Sequence, residues 1–352
     1  MTRSIRLTVL ACAAALTLSM AASAAGSYTP SMGIFHATYK PGGAGALAVV
    51  VAQERADDPT ARIVIYVAPG YTLALGQAPG STIGNVVAEV QVLDLGSTKP
   101  VTLNGPVQVD NPASHVADAC APGMHAAVWT LNAAVPGQPA NPIPVYVDRT
   151  AGAEAALGPA KLTVCFRNPT LPQNDPRRSP SGTKFLNAAF RVKGVFRNPS
   201  TAGMRIWRSI FTPYPVGSPF ANASGTREAQ AVVPMPYSLS LKRVRARRGF
   251  FRVAGALNIN GQRPSGVRVG LFARVRTSNG LHFKQVASAR TRRGGTYAFT
   301  RRRPRRGTVV FAQRLPAERA CLPTPLPFPC TAAIESNALS RSLRIAPARR
   351  RG

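Results

Sequence analysis

Acidic residues are scarce in this chain. Thirteen Asp and Glu stand against 44 Lys and Arg in 352 residues, a formal net charge of +31. Past Ser240 only Glu318 and Glu335 remain, which leaves paired-carboxylate chemistry without its reagents there. Histidine is nearly as thin: His36, His115, His125 and His282. No G-x-S-x-G, H-E-x-x-H, Walker or EF-hand sequence occurs, so the commonest signatures of hydrolases, zinc peptidases, nucleotide sites and calcium sites are missing. The expectation is a protein that is not an enzyme and has no cofactor or metal. Long helices are missing too, because no extended stretch keeps a 3.6-residue apolar period between caps. After the first 25 residues there is no run of 18 apolar residues, the length a membrane-spanning helix needs.

What is present begins with an export signature. MTRSIR is basic, LTVLACAAALTLSMA is apolar, and Ala22-Ser23-Ala24 supplies small residues at a cleavage site. That layout reads as a secretory signal peptide over residues 1–24, with an uncleaved membrane anchor as the alternative. Val9-Leu10-Ala11-Cys12 has the form of a lipoprotein box, but too little apolar sequence precedes it and the apolar run continues past it. Export makes the mature chain secreted, extracellular or cell-envelope associated, without a transmembrane anchor after cleavage.

An oxidising compartment changes the meaning of the cysteines. Cys12 leaves with the signal, and Cys120, Cys165, Cys321 and Cys330 remain. Four cysteines permit three connectivities. The local pairs Cys120–Cys165 and Cys321–Cys330 are expected, the second closing the Pro-rich loop CLPTPLPFPC.

Strand-forming runs fill most of the chain. GALAVVVAQE, ARIVIYVAPGYTLAL, STIGNVVAEVQVLD, HAAVWTLNAAV, IPVYVD and AKLTVCF are short and β-rich, with Gly, Pro, Asn and Asp between them. Many short strands and frequent turns predict an all-β protein built as sandwiches or barrels. FRNPTLPQNDPRRSPSGTK, residues 166–184, reads as a long loop. Phe-Arg-Asn-Pro recurs at Phe166 and at Phe196, which reads as two strands ending in the same Asn-Pro turn chemistry. VPMPYS, residues 233–238, is a second boundary. The expected organisation is an N-terminal β-sandwich-like region over 25–236, in one domain or two, then a C-terminal Ig-like sandwich over 238–347 and a basic tail over 348–352. Charge follows this division. Residues 26–165 hold six basic and nine acidic side chains, whereas residues 241–352 hold 26 basic and two acidic, and 24 of the 26 are Arg.

In the last region, Val253-Ala254-Gly255 ends a strand and Asn260-Gly261-Gln262 makes a polar turn. Pro264-Ser265-Gly266-Val267 then leads into a second strand, and Gly295-Thr296-Tyr297-Ala298-Phe299 follows later. This order resembles the carboxypeptidase regulatory-like modules and, more loosely, the transthyretin-like bacterial Ig-like modules. The resemblance implies a prealbumin-like β-sandwich and a non-catalytic accessory role. Arg293 and Gly294 stand where such modules often carry an acidic residue. Residues 26–236 resemble no family.

Alternation places Val267, Val269, Leu271, Ala273 and Val275 on one strand face and Arg268, Phe272, Arg274 and Arg276 on the other. RRGGTYAFTRRRPRRG, residues 292–307, adds seven arginines around a strand whose Tyr297 and Phe299 should face the core. The candidate polyanion-binding residues are therefore Arg268, Arg274, Arg276, Arg292, Arg293, Arg301, Arg302, Arg303, Arg305 and Arg306. Guanidinium chelates phosphate and carboxylate in bidentate fashion, and bound anions would relieve the self-repulsion of so dense a charge. The partner expected is an anionic extracellular polymer (wall polymer, acidic polysaccharide or extracellular DNA) or a protein, with no intracellular nucleic-acid role. The alternatives are a structural or protein-interaction module whose arginines are incidental, and a secreted enzyme with its site in the N-terminal region. HVADACAPGMH gathers His115, Asp118, Cys120 and His125, residue types that bind zinc, at a spacing that fits no known pattern. Trp129 is expected in the core.

Overall fold

The computed structural model describes residues 28–96, 99–135, 140–277, 280–315, 340 and 342–347. The expected signal peptide, the expected Cys321–Cys330 pair and the expected basic tail lie outside the described residues. Among those described, every long element is a strand and the helices are short 3-10 turns, so the all-β expectation holds.

The first half runs β1 (Ser31–His36), β2 (Leu47–Ala52), β3 (Thr60–Tyr66), β4 (Thr72–Leu73), β5 (Thr82–Val92), β6 (Val101–Asp110) and β7 (Ala127–Ala133). It continues with β8 (Asn141–Arg149), β9 (Ala160–Cys165), β10 (Thr183–Val192), β11 (Phe196–Arg197), β12 (Gly203–Pro213) and β13 (Arg227–Met235). Eleven of these form one sheet in the order β1-β2-β10-β5-β6-β7-β8-β9-β3-β12-β13, while β4 pairs with β11. Every neighbouring pair in the large sheet is antiparallel. Its end strands β1 and β13 approach each other, and all eleven strands feed one core. The sandwich-like region is thus a single sheet wrapped into a barrel-like shell.

Period-2 alternation selects the inner face. In β2, Leu47, Val49 and Val51 are buried between half-exposed neighbours, and in β3 Ile63 and Ile65 point inward. Phe196 links the two tryptophans of this core, with ring centroids 6.3 Å from Trp129 and 5.8 Å from Trp207 in edge-on contact. Trp129 is fully buried, as its sequence setting predicts.

The disulfide Cys120–Cys165 forms, with a Cα–Cα distance of 6.0 Å. Inward Leu162 and Val164 leave Cys165 on the outer face of β9. The bond therefore fastens the β6–β7 connection against the outside of the shell. The repeated Asn-Pro turns also have a physical basis. Asn168 Oδ1 accepts from the Thr170 backbone N–H at 2.8 Å, an Asx-type turn. Asn198 Nδ2 donates to the carbonyls of Thr38 and Lys40, at 2.8 and 3.0 Å, and so joins two loops.

The second half contains β14 (Tyr237–Leu239), β15 (Lys242–Val244), β16 (Phe250–Ile259), β17 (Arg268–Thr277), β18 (Gly280–Arg290), β19 (Thr296–Arg302), β20 (Thr308–Arg314) and β21 (Leu343–Ile345). One sheet is β14-β16-β15 with β19 also on β16, and the other is β18-β17-β20-β21. Their inner faces share a separate core containing Leu257, Leu271, Tyr297 and Phe299, so this half is a four-on-four sandwich. Gly255 has a specific reason to be glycine. A Cβ there would lie 1.8 Å from the Ser240 carbonyl. The Tyr297 hydroxyl donates to that same carbonyl, so the glycine and the tyrosine of the sequence pattern meet at one backbone atom.

Candidate functional site

The sandwich strands decide where the arginines go. Val269, Leu271 and Ala273 are buried, while Arg268 and Arg274 are exposed on the opposite face of β17. Across the ladder Arg268 stands opposite Arg290. Like charges in such a position repel and gain from a shared anion. Arg290 Nη1 donates to the Gly266 carbonyl at 2.9 Å, and Thr291 is bonded back to Val267. Arg292 and Arg293, exposed in the turn before β19, therefore lie at the same end of the sandwich as Arg268.

Arg301, Arg302, Arg305 and Arg306 are exposed at the far end of β19 and in the turn that follows, with Arg303 half-buried. Seven residues of strand at about 3.3 Å each separate them from Arg293 by roughly 20 Å. Thr308 Oγ1 donates to the Arg274 carbonyl at 2.7 Å, which brings β17's later residues to this second end. The backbone of Arg276 continues in that direction, paired with Leu281. The ten candidate arginines are thus distributed over two poles. The continuous run in the sequence is divided by a strand, because Thr296–Arg302 is extended.

Sequence reasoning overlooked Arg252 and Arg290. Arg252 pairs with Thr300 across β16 and β19, close to the second pole. Cross-strand register is the signal that would have found both, and register is a long-range property absent from local pattern.

Electrostatically, no described residue beyond Glu228 is acidic. The guanidinium groups bond to carbonyls instead. Arg301 donates to Val286, Arg243 to Arg344, and Arg303 Nε to Phe250 at 3.2 Å. Arg247 sits over the Phe250 ring, 4.1 Å from its centroid. Such bonds hold the side chains in place while leaving their positive charge uncompensated.

The His115 constellation proves to be a polar brace. His115 Nδ1 is 2.7 Å from Asp118 and its Nε2 is 3.1 Å from Asp110, so both ring nitrogens are occupied by carboxylates. Tyr146 Oη donates to Asp118 at 2.7 Å, and His125 Nδ1 is 2.8 Å from Asp148. Among the described residues no group of three or more His, Cys, Asp or Glu is arranged to hold a metal ion. The sulfur of Cys120 is in its disulfide.

The two described histidines with shifted pKa values respond to acid in opposite ways. Burial lowers that of His36 to about 4, so this ring is neutral when folded and the unfolded chain takes up the proton first. Its contribution to stability falls by about 3 kcal/mol as pH drops from about 6.5 to 4. At His115 burial lowers the pKa, but the bonds to Asp118 and Asp110 outweigh it and the net shift is upward. The stability from a charged His115 is present below the ordinary histidine pKa and is lost as pH rises through the raised folded value. NMR titration of the rings should show His115 protonating above free histidine and His36 well below it. Coincident midpoints would contradict this assignment.

No protein-family model matches the chain, and no curated protein matches it. Among solved structures it is similar to the full-length major pilin SpaD from Corynebacterium diphtheriae, with 13% sequence identity and a TM-score of 0.22. The match covers 83% of this chain and 58% of the pilin, so the chain spans less than two thirds of that protein's length.

Proposed function

We propose that the chain is a secreted, non-enzymatic protein of the cell envelope or extracellular space that adheres to anionic polymer. On this reading residues 1–24 are removed on export. Residues 25–236 serve as a β-scaffold, and residues 238–347 with the tail 348–352 carry the adhesive charge. One observation supports it most. Exposed arginines crowd both poles of a sandwich whose described residues include no carboxylate. Self-repulsion of that kind favours capture of polyanions. The second reading, a structural or interaction module with incidental arginines, draws on the guanidinium groups already bonded to backbone carbonyls.

The test uses the mature full chain and a fluorescent linear polyphosphate at low salt. Binding is expected, and R301Q/R302Q/R305Q/R306Q should weaken it about tenfold or more while leaving the fold intact, as each lost charge-assisted contact is worth about a factor of several. Failure of the wild-type chain to bind would overturn the adhesive reading. Unchanged binding by the quadruple variant would remove the second pole from it.

A further inference from the structure

The shell of the N-terminal half is not filled at one end. A cavity of about 270 Å³ opens there between β5, β7, β9 and β10 and the loop that follows β9. Its cause is visible in the wall. Ala88 and Ala188 face each other across the β5–β10 ladder, and Ala133 lines the cavity from β7. Three methyl groups thus stand where larger side chains would close the core. The surrounding wall includes Ile63, Val90, Leu131 and Val164, and all four are buried. Phe166 stacks on Phe185 at 5.3 Å and forms the edge of the opening.

Polar side chains in the wall are few, namely Asn141, Arg167, Ser179 and Thr183. Among the described residues no unpartnered buried polar atom belongs to the lining, so the interior has little to hold water. Apolar cavities of about 150 Å³ stay dry and accept benzene, and this one is larger. Arg167 sits at the rim, exposed, with no hydrogen bond or ion pair among the described residues. The 166–182 loop that presents it is fixed by Arg178, whose Nη1 donates to Asp94 at 2.9 Å. A methylene takes up about as much room as a water molecule, roughly 30 Å³ in the liquid. The space therefore accommodates an alkyl chain of about eight to ten carbons.

We propose that this cavity binds a single-chain fatty acid, with its alkyl chain in the shell and its carboxylate on Arg167. The site is separate from the arginine poles, and its occupation does not depend on polyanion binding. Barrel mouths with apolar walls and few convergent polar groups are frequent ligand sites.

The experiment titrates decanoate, and separately decanol, into the full chain with ¹³C-labelled Ile, Leu and Val methyl groups. Saturable shifts at Ile63, Val90, Leu131 and Val164 are expected with both probes. Shifts only elsewhere, or none, would overturn the proposal. A188F, which fills the hollow, should abolish the shifts, and A133L is the independent second filling. R167Q should weaken decanoate by about tenfold, the scale of a charge-assisted hydrogen bond, and leave decanol unchanged. Equal loss for both probes would overturn the assignment of the carboxylate to Arg167. Because decanol carries no charge, its response is independent of the cationic C-terminal half.

Discussion

Replacing Cys120 and Cys165 together by serine is expected to cost the N-terminal half about 4 kcal/mol. The bond closes a 45-residue separation, and the chain-entropy model assigns a loop of that length about this much. The structure adds a local consequence. The bridge holds the β6–β7 connection against the outside of β9, and that connection carries His115 and Asp118. Their ion pair, and the bond from Tyr146 to Asp118, depend on the connection staying in place. Urea unfolding of the oxidised protein and of C120S/C165S measures the difference. The variant should also lose the raised pKa of His115. A stability loss below about 1 kcal/mol would show that the loop is held without the sulfur bridge.

The second large effect is expected at Glu228. Its carboxylate lies 2.9 Å from Arg208 Nη1, with side-chain exposures of 2% and 9%. Gln230 Nε2 donates to the same oxygen at 2.6 Å. Glu228→Ala removes the acceptor these donors share and should cost about 3–5 kcal/mol, as breaking buried pairs does. The double variant R208M/E228L should lose much less, because it removes both charges and leaves none buried alone. Thermal and denaturant unfolding of the two variants decides the matter. A single variant as stable as wild type would mean that the pair is solvated. A double variant worse than the single would mean that the charges contribute net stability.

Much of the fold was legible because strands write their geometry into alternation. Val269, Leu271 and Ala273 against Arg268 and Arg274 could be read residue by residue, and Tyr297 and Phe299 face the core as their spacing implies. Trp129 and the Cys120–Cys165 bond were equally accessible. The wrapping of eleven strands into one shell was not, because strand order is a long-range property. β10 lies between β2 and β5, and β3 between β9 and β12, and no local pattern encodes such neighbours. The cavity was hidden for the same reason. Ala88, Ala133 and Ala188 are unremarkable in sequence and become a hollow only when register brings them together. The arginine run shows the reverse case. Its middle reads as a strand, and that extended strand places its two halves at opposite ends, while the further arginines that join each end depend on register.

The account rests centrally on the claim that charge at the arginine poles recognises polyanion. The most direct measurement is the affinity of the chain for a single-stranded DNA probe as a function of salt. If Arg301, Arg302, Arg303, Arg305 and Arg306 each displace a counterion, the logarithmic slope should be about −3.5. Affinity then falls about a hundredfold between roughly 50 and 200 mM salt. The quadruple glutamine variant leaves one of these five contacts and should reduce the slope to about −0.7 on the same basis. A wild-type slope near zero, or a slope that the variant leaves unchanged, would contradict the account.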